Sequence, residues 1–484
     1  MAWTSIGTLG STNIKTTTPA GHFLDWSPSS DVPAGHVIVL MIATDSIFNL
    51  ATDSGGPQHR RLYIADNAGN DWHQLGEASG TNCFFYCSAL GGIFATQLDS
   101  PLLTTNVVSI YGGGLADVKV ASGWEFTLPD GYGFATVDTQ FSYTEDRFTD
   151  GGVGPISVAY AGTTERLMLH IMAAEGPLTD TYTWDADYTQ FTADGTTGGA
   201  ADENITLRAG WRIASLGGDT VSVTNTTAAR DTIQVFGAIM PMFKPPTFPR
   251  TPILDNFNRA VEEPLDNGTW DTTVTAGPSS PGTRYLATDG DEAVAGSTGA
   301  GGQFWGEIFE CDDVEVYATW SHVEDGSLEI DVIAHGSGNS HDANAEGYDA
   351  QIRILGGVGF SDPWAARMGY LGNQGGLSRD ALFIWLSTVP TSGWKLGIQR
   401  LRDVNHLWLD KGSGWIWRGA IITERGDRPH SGKIGLQIWD ALSRVDDFGG
   451  GETCYVINMN WRSASRYKTA TRTLLNPSDV RPGA

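Results

Sequence analysis

Short runs of alternating or continuous apolar residues, each closed off by Gly, Pro, Asn or Asp, recur along the chain, and this pattern predicts strands rather than helices. Val37-Ile38-Val39-Leu40-Met41-Ile42-Ala43 is rich in β-branched residues and apolar on both parities, which predicts a central strand covered on both faces. Leu167 to Ala174 and Val235 to Met242 read the same way. Arg61 to Ala65, Asn82 to Ala89, Asn106 to Tyr111, Ala135 to Phe141 and Ile156 to Tyr160 predict further strands. Between two of them, Asp66-Asn67-Ala68-Gly69-Asn70-Asp71-Trp72 has the Asn and Gly of a tight turn, with Trp72 resuming a strand. Turn signals at this spacing point to a sandwich or jelly roll.

The pattern is interrupted at Lys244-Pro245-Pro246-Thr247-Phe248-Pro249-Arg250-Thr251-Pro252, where four prolines in nine residues remove backbone donors and fix φ. Such a segment is expected to run extended as a stiff spacer. The expected fold class is therefore all-β: two β-sandwich (jelly-roll) domains, residues 1–243 and 253–461, joined by a proline-rich linker at 244–252 and followed by a basic tail at 462–484.

Composition supports the class and narrows the partners. The 61 glycines, 17 tryptophans and 18% charged residues suit many short strands and tight turns. The net charge of −26 divides as −16 over residues 1–243, −14 over 244–461 and +4 over 462–484. So acidic a body repels phosphate backbones and anionic surfaces, which argues against nucleic acid as a partner. No apolar run approaches the roughly 18 residues of a membrane helix, so membrane insertion is not expected, and Met1-Ala2-Trp3-Thr4 leads into polar sequence without a signal-peptide core. Four cysteines do not make a disulfide framework: Cys83 and Cys87 on one strand would stand roughly 13 Å apart, and Cys311 and Cys454 would meet only if their strands pair. The basic tail is suited to docking on an acidic face of another copy or of another protein.

Both ends of the second half carry an apolar-Asp-x-Phe element, Leu254-Asp255-Asn256-Phe257 and Val445-Asp446-Asp447-Phe448. Paired as first and last strands, they would turn each Phe inward and each Asp toward solvent or a loop. Asp255, Asp446 and Asp447 would then converge as candidate ligands of a structural calcium, a hard cation that takes carboxylate oxygens. In Ser327-Leu328-Glu329-Ile330-Asp331-Val332-Ile333, Glu329 and Asp331 share one face of a strand. Retaining glycoside hydrolysis needs two carboxyls about 5.5 Å apart, and an acid is missing because Ile333, Ala334 and His335 follow. Exposed indoles stack on sugar rings, which makes Trp364, in Asp362-Pro363-Trp364, and the same-face pair Trp415 and Trp417 candidate glycan contacts, with core packing as the competing role.

Together with Gly268-Thr269-Trp270, Asp312 to Ala318, Lys433-Ile434-Gly435-Leu436 and Val445 to Gly451, the segment Asp255 to Ala260 resembles the concanavalin A-like (laminin G-like) lectin/glucanase sandwich found in phage minor tail and fibre proteins. The first half resembles, through its Pro-Ala-Gly-His lead into an apolar strand, Asp66 to Trp72 and Glu203 to Trp211, a jelly-roll module of phage structural proteins and some secreted bacterial proteins. These resemblances imply a bacteriophage virion protein, a minor tail or fibre component. Its first half would attach to other virion proteins and its second would meet a host-surface glycan, in a homo-oligomer, without enzymatic activity. The alternatives are a capsid decoration protein without ligand and a glycan hydrolase or depolymerase using Glu329 and Asp331.

Overall fold

The computed structural model describes residues 2–15, 23–45, 62–78, 90–111, 118–137, 142–146, 156–159, 164–199, 204–215, 218–221, 223–225, 232–266, 268–271, 285–296, 301–324, 327–337, 346–354, 364–371, 377–422 and 431–453. Every regular element among them is a strand, and the two largest sheets hold 11 and 15 strands. The chain is all-β, with large antiparallel and mixed sheets stacked as in a β-sandwich.

The strand Val37–Asp45 is central as its pattern predicts, paired with Leu90–Gln97 on one side and Val118–Thr127 on the other. Its parities serve different layers. Val37, Val39, Met41 and Ala43 face a core shared with the second large sheet, while Ile38, Leu40 and Ile42 face a separate outer core. That outer core lies under a small sheet of Phe23–Trp26, Val108–Tyr111 and Tyr63–Asp66. Arg166–Glu175 repeats the logic in the second sheet: Leu167, Leu169 and Ile171 face the shared core, and Met168 and Met172 an outer one. A strand apolar on both parities thus marks where a third and a fourth layer are added. In the second half a core that includes Trp320, Val332, Ile352, Leu396 and Leu436 lies between the same two sheets.

Both large sheets cross the Pro-rich segment. The first runs through Thr4–Lys15, Val118–Thr127, Val37–Asp45, Leu90–Gln97 and Trp72–Ala78, then Leu377–Leu386, Trp364–Leu371, Glu346–Ile354, Glu329–Ser337, Lys433–Ile438 and Gly301–Phe304. At its junction His73 pairs with Ile384 and Trp72 with Trp385, and the Trp385 indole donates to Gln74 Oε1 at 3.1 Å. In the second sheet Tyr132–Val137 pairs in parallel with Trp415–Ile422. Gly133 permits this approach, because a Cβ there would stand 2.1 Å from the Trp417 ring. Residues 1–453 accordingly form one compact unit.

The Asp66 to Trp72 turn builds the seam. Asp66 Oδ1 accepts the Asn70 N–H and Asp66 Oδ2 the Trp72 indole, both at 3.0 Å. This presents Asp71 to the other half, where Lys411 Nζ stands 2.7 Å away and Arg418 Nε 3.5 Å. Arg418 also pairs with Asp99. Burial alone would raise the Asp71 pKa, but the two cations outweigh it and hold the carboxyl below its ordinary value. Burial pushes neighbouring His73 down to about 3, so it stays neutral.

The segment 244–252 does not stand free as a spacer. Phe248 is buried, stacked on Trp408 at 5.1 Å and edge-on to Trp415 at 4.8 Å. Glu315 Oε1 accepts the backbone N–H groups of Arg250, at 2.5 Å, and Thr251, at 2.6 Å. An apolar side chain within the proline run and a buried acceptor opposite it draw the segment onto the second half. Cys311 is disulfide-bonded, its partner lying outside the described residues, as do Cys83, Cys87 and the 462–484 tail.

Because Asp71 is buried between two cations, Asp71→Ala is expected to destabilise the chain by about 3–5 kcal/mol in chemical denaturation by stranding Lys411 and Arg418. A loss below about 1 kcal/mol would show that the seam does not rely on the ion pairs.

Candidate functional site

A strongly polar buried surface of the second half's part of the first sheet is built by strand parity. Tyr348-Asp349-Ala350-Gln351-Ile352-Arg353-Ile354 alternates, sending Tyr348, Ala350, Ile352 and Ile354 into the core and Asp349, Gln351 and Arg353 to the opposite face. The antiparallel register sets Glu329 opposite Arg353, Asp331 opposite Gln351 and Ile333 opposite Asp349. On the far side Arg367 stands opposite Gln351, and Gln437 opposite Asp331. Trp439 follows directly, its indole donating to Asp331 Oδ2 at 2.8 Å.

Glu329 and Asp331 therefore lie on one face, as their spacing predicts. A third carboxyl reaches this face from the neighbouring strand, where Asp349 stands in register with Ile333. The strand Glu329–Ser337 then loses register between Ala334 and Ser337, with His335 at φ 52° and its Nε2 3.1 Å from the Cys311 carbonyl oxygen, so His335 serves the strand bulge and not the carboxyl cluster.

Asp331 and Asp349 are almost fully buried, at 0% and 1% exposure, and Gln351 is 5% exposed. Burial raises the Asp331 carboxyl well above the ordinary range, reinforced by Glu329 and Asp349. Burial and then Glu329 push Asp349 up to about 8, against Gln351, Arg367 and Arg353. Glu329 is raised by burial and held back by Arg353, whose Nε lies 3.5 Å from Glu329 Oε2. Gln351 Nε2 donates to Asp349 Oδ2 at 2.7 Å. The buried atoms without a hydrogen-bond partner on this face include both acceptors and a donor: Asp331 Oδ1, Asp349 Oδ1 and Gln351 Oε1, and the Nε of Arg353. Unpartnered polar atoms crowded on one buried face cost free energy that a hydrogen-bonding group placed among them would return. Trp439 and Arg353, both half-buried, border the cluster.

The other candidates take structural places. Trp364 is 2% exposed and packs edge-on to Trp320 at 5.8 Å, because Ile354 and Leu386 flank it in register and its strand parity points inward. It is not an exposed sugar platform. Trp415 and Trp417 belong to the aromatic cluster around Phe248, with Lys244 over the Trp417 ring at 5.4 Å. The twin Asp-x-Phe elements do pair, Ile253 with Gly449 and Asp255 with Phe448, and both Phe257 and Phe448 pack on Trp270. Asp255, however, is buried rather than turned out. Its carboxylate accepts from the Phe257 N–H at 2.8 Å, Arg259 at 2.5 Å and the Trp270 indole at 2.7 Å. Asp446 and Asp447 are half-buried, and burial raises Asp446 with help from Asp447, Glu292 and Asp255. With its oxygens already engaged, Asp255 has little left for a calcium ion, and no group of three potential ligands arranged for a metal occurs among the described residues.

No protein family matches the chain, and no curated protein does.

Linkage gives a direct check on the cluster. Asp349 has an ordinary value of 3.8 and a folded value of about 8. As pH rises between these limits the unfolded chain loses the proton while the folded chain keeps it, so folding stability falls, by at most about 1.4 kcal/mol per pH unit. Asp349→Asn is expected to make the decline in stability between about pH 5 and pH 8 shallower, read by denaturant midpoints across that window. Parallel profiles for the two proteins would contradict the shift.

Proposed function

We propose that the chain is a structural protein of a bacteriophage particle, a minor tail or fibre component, whose second half takes host-surface carbohydrate on the polar face around Asp331, Asp349 and Gln351. The observation that carries the binding reading is the set of buried polar atoms without hydrogen-bond partners, Asp331 Oδ1, Asp349 Oδ1, Gln351 Oε1 and Arg353 Nε, beside half-buried Trp439. Sugar hydroxyls both donate and accept, and an indole edge or face receives the apolar side of a pyranose ring. The virion assignment rests on the resemblance of the segments Asp255 to Ala260, Lys433 to Leu436 and Val445 to Gly451 to phage tail sandwiches. Assembly with other virion proteins, and as a homo-oligomer, belongs to the same reading.

A second reading is favoured by one observation, the placement of Asp349 opposite Ile333. Asp349, protonated at neutral pH, would give its proton to a leaving glycosidic oxygen while Glu329 takes the proton of the attacking water. In that case the protein cleaves the glycan it binds.

The full chain is expected to bind at least one polysaccharide in a panel of bacterial envelope polysaccharides, with Trp439→Ala weakening binding about tenfold or more. Absence of binding across the panel would overturn the carbohydrate reading. Release of reducing ends that disappears in Asp349→Asn would select the hydrolytic reading, and binding without release would remove it.

A further inference from the structure

The proline-rich segment lies on the second half as a ligand lies in a site. Strand pairing ends with Phe243, opposite Tyr132, and begins again with Ile253, opposite Gly449. Between these points residues 247–251 are held by side chains of the second half. Glu315 accepts the Arg250 and Thr251 N–H groups and the Thr251 hydroxyl. The Tyr317 hydroxyl donates to the Thr251 carbonyl oxygen at 2.9 Å, and Gln399 Nε2 to that of Thr247 at 3.4 Å. Pro246 and Thr247 are exposed, while Phe248 alone sinks its side chain into the sheet face.

Strand parity builds the seat. In Val314–His322, Trp394–Leu401 and Val404–Asp410 the residues Val316, Ile398 and Leu407 point into the core, so Glu315, Tyr317, Gly397, Gln399 and Trp408 point to the opposite face. Register sets Gly397 between Tyr317 and Trp408, and Gln399 beside Glu315. The side chain missing at Gly397 makes the floor: a Cβ there would stand 2.3 Å from the Phe248 ring, which lies parallel to Trp408 within 6° and edge-on to Trp415. Aromatic walls with a few convergent polar groups have the composition of a binding site. Here the polar groups match a polypeptide backbone, accepting two consecutive N–H groups and donating to two carbonyl oxygens. The strap leaves the match incomplete. Trp408 Nε1 and Gln399 Oε1, on residues 6% and 0% exposed, are buried without a hydrogen-bond partner.

We infer that residues 247–251 are a strap that opens by itself from a groove made for extended polypeptide, and that a partner segment carrying an aromatic residue followed by proline binds there in its place. Prolines remove N–H donors from the strap, and a segment richer in donors has Gln399 Oε1 to meet. Docking of proline-containing extended segments on aromatic grooves uses the same physics. Lifting the strap leaves the halves together, because the sheet edges at Trp72 with Trp385 and at Ala135 with Ala420 join them independently. The groove lies on the second large sheet and the polar face on the first, so peptide binding here does not depend on the carbohydrate reading.

The test begins with native-state hydrogen exchange of the full chain. The Arg250 and Thr251 amides are expected to exchange through a local opening, with protection about 100-fold or more below that of the Ile398 and Leu407 amides. Exchange of all four only on global unfolding would show the strap to be a fixed part of the fold and overturn the inference. The second arm uses a synthetic peptide of the strap's own sequence, Pro-Pro-Thr-Phe-Pro-Arg-Thr-Pro, with the Phe248→Ala full chain, followed by tryptophan fluorescence. The peptide is expected to bind about tenfold tighter or more than its Phe-to-Ala counterpart, and adding Gly397→Ala, which fills the floor, is expected to abolish binding. Should Phe248→Ala not fold, the wild-type chain with peptide at about 1 mM replaces it, its Arg250 and Thr251 amides losing protection as the strap is displaced. No binding, equal binding of the two peptides, binding that survives Gly397→Ala, or unchanged protection in the wild-type chain would overturn the groove.

Discussion

A buried carboxylate must be paired, and a sheet edge must be covered; at Asp71 the two requirements are met together. The edge Trp72–Ala78 of the first half abuts Leu377–Leu386 of the second, and the turn that starts this edge strand delivers Asp71 to Lys411 and Arg418. The second sheet closes its own edge at Tyr132–Val137 against Trp415–Ile422, where Gly133 gives way to Trp417. With both edges joined, the Pro-rich segment needs no stiffness of its own. It lies where Phe248 finds an aromatic cluster and Glu315 receives its N–H groups.

This union also shapes the candidate site. The face that carries Glu329, Asp331, Asp349, Gln351 and Arg367 continues across the sheet to Phe383 and Trp385, which join the outer core of the first half. The polar cluster is bounded by that core on one side and by Trp439 on the other. Burial, reinforced by the neighbouring carboxyls, raises Asp331 and Asp349 above their usual range.

Much of the layer architecture is legible in short stretches of sequence. Val37 to Ala43 is apolar on both parities because it separates two cores, and Leu167 to Ala174 does the same in the opposite sheet. The twin Asp-x-Phe elements locate the closing strands, and Glu329 and Asp331 show which face is polar. Their limits are equally physical. The roles of Asp349, Gln351 and Trp439 depend on cross-strand register, which no local pattern encodes, although the alternation of Tyr348 to Ile354 already places Asp349, Gln351 and Arg353 on one face. Trp364 reads as a loop residue after Asp362-Pro363, but it begins a strand, and its parity turns it into the core. The proline run reads as a spacer because donors lost from the backbone are visible in sequence, whereas the aromatic surface that receives Phe248 is assembled from strands far away.

The central claim is that residues 1–453 fold as one body through two shared sheet edges. Native-state hydrogen exchange at the junction amides reads it most directly, in the strands holding His73 and Ile384 and those holding Thr136 and Ala420. Exchange there with the same opening free energy as the central strands of both halves is the predicted result. Junction amides that exchange through a low-energy opening, with the two halves unfolding at different free energies, would contradict it.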